Sequence, residues 1–154
     1  MHFEQALKNP IFKTIASCAT TLETPCYVVG GYVRDSILSR YTSQDIDVVA
    51  IGNGIKLAES VAKALPNVPK VSIFKTYGTA MLRFKGVDLE FVGARKESYK
   101  KESRNPEICE GTIEDDQKRR DFTINALAIS LNAIDYGTLL DPFNGMEDLK
   151  NKRI

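Results

Sequence analysis

Two aspartates one residue apart, Asp45 and Asp47, open an otherwise apolar run, DIDVVAI. On a strand, side chains alternate, so Asp45, Asp47 and Val49 face one way while Ile46, Val48 and Ala50 face the other, toward a core. Two carboxylates that close repel unless positive charge sits between them. A hard divalent cation satisfies them, and magnesium in particular takes one or two carboxylates together with substrate phosphates. Taken alone, DxD is more often a solvated strand edge or a turn. The preceding segment changes the odds. Gly30 and Gly31, in VVGGYVRD, allow a turn that leaves N–H groups free at a helix N-terminus, where phosphate is favoured. Arg34 stands one turn in, and Asp35 can pair with it, or with another arginine, to stiffen the turn. A simple tight turn is the plainer reading of the glycine pair.

Further along, Asp88 and Glu90 alternate with Val87, Leu89 and Phe91. Glu90 is therefore a candidate third carboxylate, or one member of an exposed sheet face. In RRDFTINALAI, Arg119 and Arg120 offer guanidinium groups that grip phosphate at two points. Asp121 and Asn125, spaced i, i+4, would share one helical face and present an acceptor and an amide to a ribose hydroxyl. The alternative there is a capped amphipathic helix with a solvated basic start. His2 is the only histidine, and Cys18, Cys26 and Cys109 lack the CxxC spacing of a metal knuckle. Zinc chemistry and histidine general-base catalysis thus have almost no residues to work with, and reduced, buried thiols are expected.

The elements that must position these side chains follow from periodicity. Phe3, Leu7, Ile11 and Ile15 predict an amphipathic helix over the first twenty residues, interrupted at Pro10. A strand is expected at 27–29, a helix at 32–40, a strand at 45–51 and a helix around 55–65 closed by Pro66. Strands at 70–74, 79–84 and 87–92 come next, with Lys85 and Gly86 as a tight hairpin turn. Residues 94–114 are polar, contain ARKESYKKESR and read as a long mobile loop. Thr112 is placed to cap a helix containing 115–128; a strand at 129–132, a turn at Tyr136 and Gly137 and a helix from about Met146 complete the chain.

At 154 residues, with 43% hydrophobic and 27% charged residues, the chain has the size and composition of one soluble globular domain. The net charge of +1 says little about partners. Its distribution says more, because basic residues gather at 95–104 and 118–120. No apolar run is long enough to span a bilayer, and MHFEQALKNP lacks the character of a signal peptide, so no membrane partner and a cytoplasmic location are expected.

Together and in this order, GGYVRDSIL, DID and RRDFTINALA resemble the head domain of the bacterial class II tRNA nucleotidyltransferases and their poly(A) polymerase relatives, within the polymerase β-like nucleotidyltransferase superfamily. YGTAMLRF, LEFVGARKESY and DPFNGMEDL look like further family segments. The resemblance implies an α+β fold, a mixed β-sheet flanked by helices. It implies attack of an RNA 3′-hydroxyl on the α-phosphate of ATP or CTP, with tRNA as acceptor and Mg2+ or Mn2+ as cofactor. Asp45 and Asp47 match the metal-binding pair; Gly30, Gly31 and Arg34 match the triphosphate segment. Arg120, Asp121 and Asn125, with Arg119 beside them, match the segment for ribose and phosphates, and Glu90 is an auxiliary carboxylate. In the family a helical neck that selects the base, then body and tail, follow the head, so the 154 residues are expected to be a truncated head. Poly(A) addition, or a nucleotide- or RNA-binding module without catalysis, are the alternative functions.

Overall fold

The computed structural model describes residues 2–40, 44–98 and 107–152. A 3-10 turn (Glu4–Leu7) and helix α1 (Ile11–Thr21) form the N-terminal segment. They part at Pro10 as expected, and the Asn9 side chain accepts from the Ile11 N–H at 3.0 Å. Strand β1 (Cys26–Val29), helix α2 (Gly31–Ile37), strand β2 (Asp45–Ala50) and helix α3 (Gly54–Ala64) follow. Asn53 caps α3 by accepting from the Lys56 N–H at 3.0 Å. Strands β3 (Ser72–Phe74), β4 (Thr79–Phe84) and β5 (Val87–Gly93) come next. Lys85 and Gly86 both have positive φ, 49° and 78°, the requirement of the tight hairpin turn read from the sequence. The chain closes with β6 (Arg95–Ser98), β7 (Glu107–Glu110), α4 (Ile113–Lys118), β8 (Ala128–Ser130), β9 (Leu139–Leu140) and α5 (Gly145–Lys150).

Seven strands form one sheet in the order β3-β4-β5-β2-β1-β8-β9. β2 and β5 run parallel and every other pairing is antiparallel, so the sheet is mixed. The expected alternation decides what each face does. Val28, Ile46, Val48, Leu89 and Phe91 bury one face against Phe12 and Ile15 of α1 and Leu57 and Val61 of α3. Burying side chains of this size contributes about 1.5–3 kcal/mol each. On the other face, Val29, Val49 and Ala128 pack with Ile113 of α4 in a smaller cluster. Among the described residues, that cover lies over β2, β1 and β8 and reaches β5 at Val92. The rest of this face, toward β3 and β4, is largely bare among the described residues, with Phe74 and Met81 at 46% and 38% exposure.

Three expectations need correction. Strand pairing occupies both ends of the polar segment 94–114: β6 and β7 form a two-stranded antiparallel ribbon in the register Arg95↔Glu110 to Ser98↔Glu107. Backbone pairing needs no apolar side chains, which is why a reading of composition misses it; 99–106 lie outside the described residues. Helix α2 ends at Ile37 rather than at residue 40. The helix after Thr112 stops at Lys118 rather than running to residue 128. Among the described residues no helix is long and apolar enough to cross a membrane, and Cys18 and Cys26 are buried free thiols.

Candidate active site

The bare half of the sheet floors a cleft of about 550 Å³. Asp47 on β2 pairs directly with Glu90 on β5, so their side chains stand together on this face and both line the cleft. The next pair in the register is Asp45 with Asp88. All four acids, with Met81, line an adjoining cavity of about 320 Å³. The Asp47 carboxyl is pushed above its ordinary range, first by burial and then by Glu90; Arg120 works against the rise, while Asp45 and Asp116 add to it. Four acids on one face gather negative charge and offer hard oxygen donors, which suits a divalent cation. Among the described residues, no three His, Cys, Asp or Glu side chains form a ready-made metal cage. A site with few protein ligands leaves positions for water and phosphate oxygens.

The positive side of the cleft comes from α4. Thr112 opens that helix with a full capping box: its hydroxyl accepts from the Asp115 N–H at 3.2 Å, and the Asp115 carboxylate accepts from the Thr112 N–H at 2.8 Å. Asp116 is fully buried. Its two oxygens are divided between two arginines: Arg119 donates from Nη2 to Oδ1 and Arg120 from Nε to Oδ2, each at 3.0 Å. The buried Gln117 amide donates to the Ala126 and Leu140 carbonyls at 2.8 and 3.2 Å. Those bonds require the chain to fold back after Lys118, which explains the early helix end. Asp121 and Asn125 therefore do not share a helical face. Asp121 sits exposed on a bend, and Asn125 ends a 3-10 turn (Thr123–Asn125). Asn125 accepts instead from Arg34 Nη1 at 2.9 Å, and Arg34 Nε donates to Asp35 at 3.1 Å. The expected Arg34–Asp35 pair thus exists, as one end of a brace between α2 and the 3-10 turn.

That turn is braced from its other side by the DPFNGMEDL segment. Asp141 accepts from the backbone N–H groups of Gly145 and Met146 at 2.6 and 3.0 Å, and the Thr123 hydroxyl donates to Asp148. Gly30, between β1 and α2, has φ 78° and ψ −145°, a region open in practice only to glycine. A Cβ there would lie 3.5 Å from Asp47 Oδ2 and 3.6 Å from Arg120 Nη1, ordinary contacts. The glycine is required by its backbone angles, and its bare Cα stands beside the acid and the arginine alike. Gly30→Ala is expected to lose about 1–3 kcal/mol of stability from backbone strain, read by urea unfolding. An unchanged midpoint would show that the turn relaxes.

Of the residues singled out in the sequence, Asp47, Glu90, Arg119 and Arg120 line the cleft; Asp45 lines the adjoining cavity. Gly30 touches the centre, Gly31 stands against the Arg34 guanidinium, and Asp121 is outside the cleft lining. Sequence reasoning met Arg95 only as part of a basic run and a family segment, and missed Phe74 and Tyr77, which line the cleft with it, and Asp116, which holds its arginines. The i, i+3 and i, i+4 spacing of Asp116 to Arg119 and Arg120 was a usable signal. Nothing local marked the two aromatic residues.

Residues 26–154 match the family described as the poly(A) polymerase head domain. The chain is 44% identical over 128 residues to the A-adding tRNA nucleotidyltransferase of Aquifex aeolicus, covering 83% of this chain and 15% of that protein. A solved tRNA nucleotidyltransferase complexed with a primer tRNA and an incoming ATP analog superposes with a TM-score of 0.77 at 40% identity, over 90% of this chain and 37% of that one. The apo form II structure of a CCA-adding enzyme superposes with a TM-score of 0.83 at 37% identity, over 98% and 37%. The chain thus spans well under half the length of each.

Proposed function

The chain belongs to the poly(A) polymerase head-domain family, and on that premise we propose that residues 1–154 are the nucleotidyltransferase head of an enzyme adding CMP and AMP to the 3′ end of tRNA. The observation that carries this reading is the direct pairing of Asp47 with Glu90 across β2 and β5, on the face of a cleft that Arg119 and Arg120 also line. Phosphoryl transfer asks a protein mostly for positioning and charge neutralisation, and this arrangement supplies both without a histidine.

Asp45 and Asp47, with Glu90 beside them, are the groups to hold a divalent ion, magnesium or manganese. When bound, such an ion polarises the attacking hydroxyl and neutralises charge on the phosphates. Arg120, with Arg119 at the rim, grips phosphate oxygens, and the glycine turn that opens α2 lies beside Arg120. Asp121 lies exposed on the bend beside Arg120, outside the cleft lining, and without Asn125 beside it; its carboxylate alone would accept from the ribose of a nucleotide that reaches past the cleft. Asn125 and Asp35 hold Arg34 in place at the glycine turn. In the reaction the RNA 3′-oxygen bonds to the α-phosphorus and the bond from that phosphorus to its bridging oxygen breaks. Pyrophosphate leaves with the electron pair, and the hydroxyl proton passes to a carboxylate oxygen and on to water.

These groups address triphosphate, metal and ribose, which all four nucleotides share, and none of them reads a base edge. Residues 1–154 are therefore expected to bind ATP, CTP, GTP and UTP with magnesium at similar, modest affinity. Calorimetry on the four nucleotides, beside an extension assay on tRNA lacking its terminal CCA, checks this. No magnesium-dependent binding of any nucleotide would sink the reading. A preference for ATP or CTP over GTP on the order of a hundredfold would place base selection within these residues.

A further inference from the structure

Two exposed aromatic residues stand at the β3-β4 edge of the sheet: Phe74 ends β3, and Tyr77 ends the 3-10 turn that follows it (Lys75–Tyr77). Tyr77 is 64% and Phe74 46% exposed, and both line the cleft that holds Asp47 and Glu90. The register places Phe74 on the face of the acids: Phe74 pairs with Thr79, and Thr79 with Val92, two residues on from Glu90 along β5. β3 is two strands from β5 and three from β2, roughly 10 and 14 Å at the usual strand spacing. Arg95 reaches the same place, its Nη2 lying 3.2 Å from where a Cβ on Gly78 would sit, next to Tyr77. Exposed rings beside a guanidinium at one edge of an acidic centre have the chemistry of a single-stranded nucleic-acid site, where bases stack on rings and cations meet the backbone.

Resting on the function proposed above, we infer that Phe74 and Tyr77 stack the 3′-terminal base of the RNA acceptor, with Arg95 meeting its phosphate. The sheet order decides between acceptor and incoming nucleotide. The acids on β2 and β5 stand between the rings on the β3 side and the Gly30 turn on the β1 side. Arg120 lies against that turn. In-line displacement puts the attacking and leaving oxygens on opposite sides of the phosphorus. With the pyrophosphate directed toward Gly30 and Arg120, the attacking ribose comes from the side of Phe74 and Tyr77. The acceptor's last nucleotide carries one phosphate rather than three, so more of its hold must come from its base.

The test uses residues 1–154, a short single-stranded oligoribonucleotide ending in two cytidines, and ATP with magnesium. Each of Phe74→Ala and Tyr77→Ala is expected to weaken oligoribonucleotide binding about tenfold and to leave magnesium–ATP binding within twofold, while Tyr77→Phe restores RNA binding. Both rings are exposed, so the variants should fold, and unfolding midpoints confirm it. Asp45→Ala with Asp47→Ala is expected to do the converse, losing magnesium–ATP and keeping the oligoribonucleotide. If the ring variants weaken ATP instead, the rings serve the incoming base and the inference is overturned. Wild-type protein that binds ATP but no oligoribonucleotide overturns it as well. Wild-type protein that binds no magnesium–ATP sinks the underlying function instead, separately from this site.

Discussion

Asp47→Ala, alone or with Asp45→Ala, is expected to remove the magnesium-dependent part of nucleotide binding, a fall on the order of a hundredfold or more. In the unaltered chain, metal should bind weakly without nucleotide and tightly with it, because triphosphate oxygens complete the coordination. Calorimetric titration of ATP with and without magnesium measures both, and equal affinities for wild type and variant in magnesium would refute the metal-site assignment. The pH dependence has a definite sign. Burial and Glu90 raise the Asp47 carboxyl, and the protonated form cannot ligate a cation. Metal-dependent affinity should therefore begin to fall, as pH drops, at a higher pH than an ordinary aspartate would give. Stability without metal runs the other way. Between its ordinary and its raised value, the folded protein holds an Asp47 proton that the unfolded chain has released, so stability declines as pH rises through that window. Asp47→Asn should flatten that decline and be more stable than wild type at neutral pH without metal. Thermal unfolding across pH reads this directly.

Asp116→Ala should be damaging for a different reason. The buried carboxylate is the shared acceptor for Arg119 and Arg120, whose side chains are 57% and 20% exposed. Breaking a fully buried pair costs about 3–5 kcal/mol, but these arginines can turn to water, so a loss on the order of 2 kcal/mol is expected. The larger effect is on position. Freed from Asp116, Arg120 keeps the attraction of Asp47 but loses the bond that fixes the direction of its guanidinium beside Gly30, and triphosphate affinity should fall about tenfold or more. Asp116→Asn can still accept from one arginine and should fall in between. Urea unfolding together with ATP titration separates the two effects; wild-type nucleotide affinity in a folded Asp116→Ala protein would show that Arg120 is held by other means.

Most elements of this fold were legible because their signals are local. Alternation along DIDVVAI and VDLEFV separated the core face from the acid face, and positive φ at Lys85 and Gly86 follows from a turn chemistry visible in two residues. The motif order was likewise enough to identify the family from residues alone. Signals failed where the deciding partner is distant in sequence. The helix after Thr112 reads as continuing through RRDFTINALA, yet it stops because Gln117 must bond the carbonyls of Ala126 and Leu140. Asn125 was matched to Asp121 by spacing, whereas its actual partner, Arg34, is 91 residues away. What the sequence by itself determined is the kind of chemistry: carboxylates on one strand face, a glycine turn and a pair of arginines. Only the tertiary structure decided that β5 lies beside β2, which makes Glu90 the neighbour of Asp47, and that α4 covers one half of the acid face while Phe74 and Tyr77 stand exposed at the β3-β4 edge. Strand order and helix cover depend on contacts between distant segments, and no local periodicity encodes them.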